Sequence, residues 1–260
     1  MNRRTFLQAA ALYAIGTAYA TEPLQKIVVN LPSYTLALYE GRVRKIEFPC
    51  RIGRPATPTP IGKGEIILKR DRVVFRYLTG PNRGKVIWYS YLDPEKRTIK
   101  MPYDDMRGLD FTINGRMTGP VIHSTTDHWT VGASASHGCI GMKIEDMLVL
   151  YGAIPEGALP ELEITYRTLF YDRGQMTVWH DVYSKGTNTG EALLGVLREA
   201  GIGSIDAERA DVNLERIGRE LEAANKKVQA LLSAGKDPKE ELGGLSVTLP
   251  LEALLEAPSD

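Results

Sequence analysis

The chain has 260 residues, and its 32 basic and 32 acidic side chains cancel. That balance leaves no basic excess to attract nucleic acid. Hydrophobic residues make up 43% of the chain, ordinary for a globular protein with one good core and an appendage.

Residues 1–20 read as an export leader. Asn2-Arg3-Arg4-Thr5-Phe6-Leu7-Gln8 is a twin-arginine pattern, residues 9–15 are mildly apolar, and Ala18-Tyr19-Ala20 supplies a small-x-small cleavage site. The apolar run falls short of the roughly 20 residues a bilayer needs, so a cleaved leader is expected rather than an anchor. No later segment is apolar for long enough to span a membrane.

From about residue 24 to 166 the pattern is mostly β. Residues 26–30 are a short apolar run. Residues 34–39 are strand-like and end at the turn signal Glu40-Gly41, with residues 43–52 as the other arm of a hairpin. Pro55-Ala56-Thr57-Pro58-Thr59-Pro60 is a rigid loop, because so many prolines cannot join a central strand. Further short strands are expected at 64–69, 73–77, 85–91, 109–113 and 120–123. Residues 144–151 read as a helix with Ile144, Met147, Leu148 and Tyr151 on one face. Residues 161–166 close the unit. Many short strands with turn signals predict an antiparallel sandwich or barrel-like sheet.

A second part, 168–234, reads as one strand-like piece and two helices. The first helix should end at Gly201, and Asp206 should cap the start of the next. Leu214, Ile217, Leu221, Ala224, Val228 and Leu231 form a stripe expected to pack on the main domain rather than to pair as a coiled coil. Residues 235–260 are punctuated by Gly and Pro and are expected to be loosely held.

Chemistry concentrates between Gly119 and Leu150, which hold Cys139 and three of the four histidines. His137 precedes the thiol by two residues and His123 by sixteen. A thiol becomes a nucleophile as its thiolate, and a nearby imidazole or a helix N-terminus promotes that form. His123, at a strand end, is the expected base, with the Ser124 carbonyl orienting its ring. His137 is too close in sequence to reach the thiol well and is assigned to substrate contact or to shaping the loop. The amides of Gly138 and Cys139 are the natural oxyanion donors. Ser124 and Ser136 complete the expected substrate and oxyanion set.

Other readings stand beside this one. Cys50 and Cys139 could pair in an oxidising compartment, but Cys50 has the context of a small buried strand residue. His123, His128, His137 and Cys139 have the atom types of a zinc site and none of its usual spacings. No cofactor and no metal is expected. His128 reads as a loop residue lining the groove and His180 as structural. Trp88, Tyr89 and Tyr91 suit core packing as well as a substrate groove.

The segment from His123 through Ser136-His137-Gly138-Cys139, with twelve residues between His123 and Ser136, resembles the catalytic motif of the L,D-transpeptidase (YkuD-like) family. Gly53-Arg54-Pro55-Ala56-Thr57-Pro58-Thr59-Pro60 is similar to a second landmark of that family. The resemblance implies an L,D-transpeptidase-like β-sandwich or barrel with one helix after the catalytic Cys, plus a small α-helical C-terminal extension. It implies an exported, cysteine-dependent acyl transfer from peptidoglycan stem peptides to an amine, in the periplasm or at the cell wall. L,D-carboxypeptidase action, attachment of protein to the wall, or a non-catalytic wall-binding module are the alternatives. One position departs from the pattern. Gly141 stands two residues after the cysteine, where the family usually has Arg or Asn. A glycine there, expected where the helix begins, should leave the site floor open. Arg116 is the candidate replacement cation.

Overall fold

The computed structural model describes residues 25–73, 75–76, 86–87, 91–92, 99–100, 105–203 and 205–256. The leader at 1–20, half of the residues of the expected strands at 73–77 and 85–91, and Trp88 and Tyr89 lie outside the described residues.

The chain opens with β1 (Gln25–Asn30), β2 (Thr35–Glu40) and β3 (Val43–Pro49), an antiparallel meander. Ile27 and Val29 alternate inward from β1, and Leu36 and Leu38 from β2, which is the period-two pattern of a half-buried sheet. A short β4 (Ile52–Gly53) precedes the proline loop, and β5 (Gly62–Arg70) follows it. Four two-residue strands come next: β6 (Phe75–Arg76) with β7 (Val86–Ile87), and β8 (Tyr91–Leu92) with β9 (Ile99–Lys100). Then come β10 (Gly108–Ile113), β11 (Arg116–Thr125), β12 (Ser134–Ser136), β13 (Ile140–Lys143), α1 (Ile144–Ala153) and β14 (Glu161–Thr165).

Eight of these strands form one sheet in the order β13-β11-β10-β5-β14-β1-β2-β3. Its two edges, β3 and β13, approach each other. Just after β3, Arg51 N–H donates to Gly141 O at 2.7 Å, and Gly141 N–H donates back to Arg51 O at 2.9 Å. β4 pairs in parallel with β12 beside this bridge. The sheet therefore nearly closes into a barrel, and its seam lies at Arg51 and Gly141. The fold is mainly β.

The interior is filled by Ile27, Leu36, Leu38, Ile66, Leu109, Phe111, Ile122, Ile140, Met142 and Leu162, each 1% exposed or less. Burying such a side chain contributes about 1.5–3 kcal/mol. Met147 and Leu150 of α1 close one end of this core.

The C-terminal part holds β15 (Leu169–Asp172), β16 (Gln175–Trp179), α2 (Gly190–Glu199), α3 (Ala207–Ser233), α4 (Lys239–Leu242) and β17 (Ser246–Pro250). The Asp206 side chain caps α3 by accepting from Arg209 N–H at 3.1 Å. The stripe along α3 serves two cores. Leu214, Ile217 and Leu221 pack with Leu193 and Leu197 of α2 and Met176 and Val178 of β16. Val228, two turns further on, enters the main core. The segment from residue 235 differs from the loosely held tail expected of it. β17 pairs antiparallel with β16, Leu245 and Leu254 are buried, and Asn213 Nδ2 donates to the carbonyls of Leu254 and Glu256 at 2.9 and 3.0 Å. Five residues flanked by Gly and Pro carry too weak a pattern to read as a strand until β16 is there to pair with. Among the described residues no helix is long and apolar enough to cross a membrane.

Candidate active site

The site is built where β11 ends, at the barrel seam. β11 and β13 run in parallel, with His123 in register with Gly141 and Ile122 with Ile140. Cys139 sits immediately before β13, so the thiol is at the start of the strand that pairs with the one carrying the imidazole. The helix read at residues 144–151 is α1, which begins at Ile144, but Gly141, also expected where the helix begins, lies in strand β13. Ile140 and Met142 are fully buried and belong to the barrel core, which draws the segment into the sheet. Helix-dipole activation of this thiol is therefore absent.

His123 is 3% exposed, and its Nδ1 lies 2.6 Å from the Ser124 carbonyl oxygen. That contact puts the ring proton on Nδ1 and leaves Nε2 as an acceptor. Burial, reinforced by the nearby Arg51 cation, pushes His123 down to about 3. The ring is neutral at physiological pH. The Cys139 thiol is pushed up by burial, against a backbone hydrogen bond from Val121 and the charge of Arg51. At rest the pair is thus a thiol beside a neutral imidazole, the protonation a general base needs before reaction.

The turn carrying the thiol is held from both sides. Ser136 Oγ donates to the Cys139 carbonyl at 2.6 Å and accepts from Gly138 N–H at 3.1 Å. Gly138 has φ +108°, which a side chain rarely tolerates, and an added Cβ would lie 3.2 Å from Pro120 Cγ. The proline loop grips the same turn. Arg54 N–H and Thr57 Oγ1 donate to the Ser136 carbonyl at 3.0 and 3.2 Å, and Thr59 Oγ1 donates to the Gly138 carbonyl at 3.0 Å. The prolines keep this loop extended with few backbone donors to satisfy. The loop's purpose is legible only once it lies against the turn.

The expected residues take different places. Ser124 Oγ faces Arg107, accepting from its N–H at 3.0 Å, so its hydroxyl braces β11 instead of meeting a substrate. Ser136 is likewise committed to the turn backbone. Gly138 N–H is engaged by Ser136 Oγ, which takes it out of the expected pair of oxyanion donors. His137 is exposed at the surface of the turn, and His128 and Trp129 are exposed on the 3₁₀ turn after β11. His180 is buried far along the chain, with Nε2 2.8 Å from Glu222 Oε2. Cys50 is fully buried and Cys139 partly so, and both are free thiols. His123, His128, His137 and Cys139 do not assemble as ligands. Among the described residues no group of three or more His, Cys, Asp or Glu is arranged for a metal.

Arg116 is not the replacement cation. It is exposed at the far end of β11, seven residues from His123 or roughly 23 Å along a strand. The sequence reading missed Arg51, which is 7% exposed and packs on Gly141. Its signal was a pairing of two oddities: a glycine where a long polar side chain is usual, and an arginine at a strand end inside an otherwise apolar stretch. Tyr183 was missed as well. Its hydroxyl accepts from Thr59 N–H and donates to the Gly53 carbonyl, both at 3.0 Å, so it clamps the two ends of the proline loop.

The family model of the L,D-transpeptidase catalytic domain, YkuD, matches residues 25–165. No curated protein matches the chain. Among solved structures, the L,D-transpeptidase LdtMt1 in complex with imipenem is 17% identical over 55% of this chain and 59% of that one, with a TM-score of 0.40. An L,D-transpeptidase from Mycobacterium smegmatis is 18% identical over 54% and 58%, with a TM-score of 0.37. One from Stackebrandtia nassauensis is 17% identical over 63% and 67%, with a TM-score of 0.36. The chain thus spans about three fifths of the length of the first two structures. The family model covers more than half of the chain and contains Cys139, His123 and the whole barrel seam, so the chain belongs to the YkuD family of L,D-transpeptidase catalytic domains.

Proposed function

We propose that this chain is an exported, cysteine-dependent L,D-transpeptidase acting on peptidoglycan stem peptides. The observation that carries the reading is a buried, neutral His123, its Nδ1 on the Ser124 carbonyl, on the strand in register with the segment that Cys139 opens.

The chemistry follows from that pairing. The donor is a stem peptide whose last bond joins the L-centre of a diamino acid to a terminal D-residue. Nε2 of His123 takes the thiol proton as Cys139 Sγ attacks the carbonyl carbon. The tetrahedral oxyanion is met by the backbone N–H of Cys139. Collapse breaks the C–N bond, His123 returns the proton to the departing amine, and a thioester remains on Cys139. The amine of a neighbouring stem then attacks the thioester, His123 takes its proton, and the thiol is restored with a cross-link formed. His137, exposed beside the thiol, contacts the stem. Water in place of the amine would give L,D-carboxypeptidase action by the same steps.

The leader reading accompanies this proposal, since the substrate lies outside the cytoplasm. Arg3→Lys with Arg4→Lys should block export, and normal export of the double variant would contradict the twin-arginine route. The activity itself is tested by incubating the purified chain with a disaccharide-tetrapeptide and following products by mass spectrometry. A dimer lighter by one terminal D-residue is expected. Unchanged substrate, with a chain that melts cooperatively, would overturn the reading.

A further inference from the structure

Arg51 occupies a place that stability alone does not explain. Its backbone forms the bridge that closes the barrel, and its side chain turns onto the face of Gly141. A Cβ added at residue 141 would lie 2.7 Å from Arg51 Nε, 3.2 Å from Nη2 and 3.3 Å from Cζ. Glycine at this position is thus the space in which the guanidinium rests. The tip is braced by Nη1, which donates to Thr130 Oγ1 at 3.1 Å and reaches Asp127 Oδ2 at 3.4 Å. Nε is buried with no hydrogen-bond partner. A buried cation with an unmatched donor stabilises a fold poorly, and an apolar side chain of equal length would pack there at lower cost.

What the position does offer is proximity to the reactive pair. Gly141 is in register with His123 and two residues beyond Cys139, so the guanidinium that rests on it lies beside the strand pair that carries both. Asp127 is its acidic partner, at 3.4 Å, and that carboxylate is 40% exposed, so the ion pair is partly solvated. Among the described residues, His137 on the thiol's own turn and His128 on the turn after β11 are exposed. The charge of Arg51 opposes the effect of burial on Cys139 and adds to it on His123.

We propose that Arg51 is a positioning residue of this site, a cation brought in from the β3 end of the barrel seam and housed by Gly141, which favours the developing Cys139 anion and keeps His123 unprotonated. The departure at Gly141 is then an exchange of place, with the long polar side chain supplied across the seam. The inference rests on Cys139 and His123 being the reactive pair and can be tested without any transpeptidase substrate.

The test is the pH dependence of Cys139 alkylation by iodoacetamide, read by peptide mass spectrometry, with fully buried Cys50 as internal reference and a melting curve for each variant. Arg51→Gln keeps a polar group near Thr130 and removes the charge. It should raise the alkylation midpoint by about one pH unit, a tenfold loss of thiolate below it. Arg51→Lys should restore at least half of the shift. Thr130→Val removes the brace and should leave the midpoint in place. A folded Arg51→Gln protein with the parent midpoint overturns the proposal. So does a lysine variant that shifts as far as glutamine, because the effect would then be packing. Should Arg51→Gln not fold, Gly141→Ala presses the guanidinium away and is read the same way: a raised midpoint supports the proposal and an unmoved one overturns it. Failure of cross-linking with these shifts present would refute the functional reading and leave this one standing.

Discussion

The barrel, residues 25–165, and the extension, residues 166–256, contribute to the site in different ways. The barrel carries His123 on β11 and Cys139 just before β13, the pair proposed to react, and Arg51 comes from its seam. The extension carries no reacting group, yet it holds the loops that face them. Tyr183 ties Thr59 to Gly53, and Thr59 in turn holds the Gly138 carbonyl. The Tyr166 hydroxyl accepts from Tyr183 N–H at 2.7 Å and donates to Asp181 at 2.6 Å, and the two tyrosine rings stack at 5.6 Å. Gln229 of α3 donates to Ser134 Oγ at 3.2 Å, two residues before the turn of the thiol begins. The family match stops at residue 165, while the hydrogen bonds that hold the thiol's turn in place do not. Variants should separate the two regions: seam changes alter reactivity or packing at the pair, and extension changes loosen the turn while leaving the chemistry of the pair as it is.

The largest expected effect is at the seam. Gly141→Arg would place a second guanidinium where Arg51 already rests, combining overpacking with an unpaired buried cation. A loss of about 4 kcal/mol is expected by chemical denaturation. Arg51→Ala combined with Gly141→Arg should recover more than half of it, since one guanidinium then fills the space. Full stability of the single variant would show that the guanidinium can leave freely.

His123→Ala should slow acylation of Cys139 by about 100-fold, the scale of a lost general base, in single-turnover kinetics. Acylation at the parent rate would move the base role to another residue. Tyr183→Phe leaves Thr59 N–H and the Gly53 carbonyl without their partner, which should cost about 2 kcal/mol. Its alkylation midpoint for Cys139 should stay that of the parent, because no charge is altered. A shifted midpoint would mean that the extension tunes the pair directly, and the division between the two regions would fail.

The most gradual effect is a pH dependence, spread over several pH units. His123 is held neutral when folded, down to about 3, and takes up its proton near 6.5 when unfolded. The unfolded state therefore binds more protons between these values. Stability from this group is complete above 6.5 and falls as the pH drops toward 3. His123→Gln should flatten the urea midpoint across that window relative to the parent. An equal slope in both proteins would assign the dependence to carboxylates.

Much of this was legible in the sequence because it rests on local pattern. The alternation in β1 and β2 and the proline loop pointed to the barrel, and the histidine-to-cysteine spacing to the pair proposed to react. The remainder depended on contacts made at a distance in sequence. Whether Ile140-Gly141-Met142 is strand or helix is settled by β11 lying alongside. Arg51 becomes the cation of the site only because the barrel closes at Gly141, ninety positions later. Ser124 and Ser136 looked like substrate ligands by residue type, and their hydroxyls turn out to be spent on the backbone. β17 needed β16 to be visible at all.

The central claim is that Cys139 is the one reactive thiol, activated at the seam between β11 and β13. Its most direct test is intact-protein and peptide mass spectrometry after exposure of the chain to a carbapenem. A single covalent adduct on Cys139 is expected, absent from Cys139→Ala and retained in Cys50→Ala. An adduct on Cys50, or none on a folded parent protein, would contradict the account.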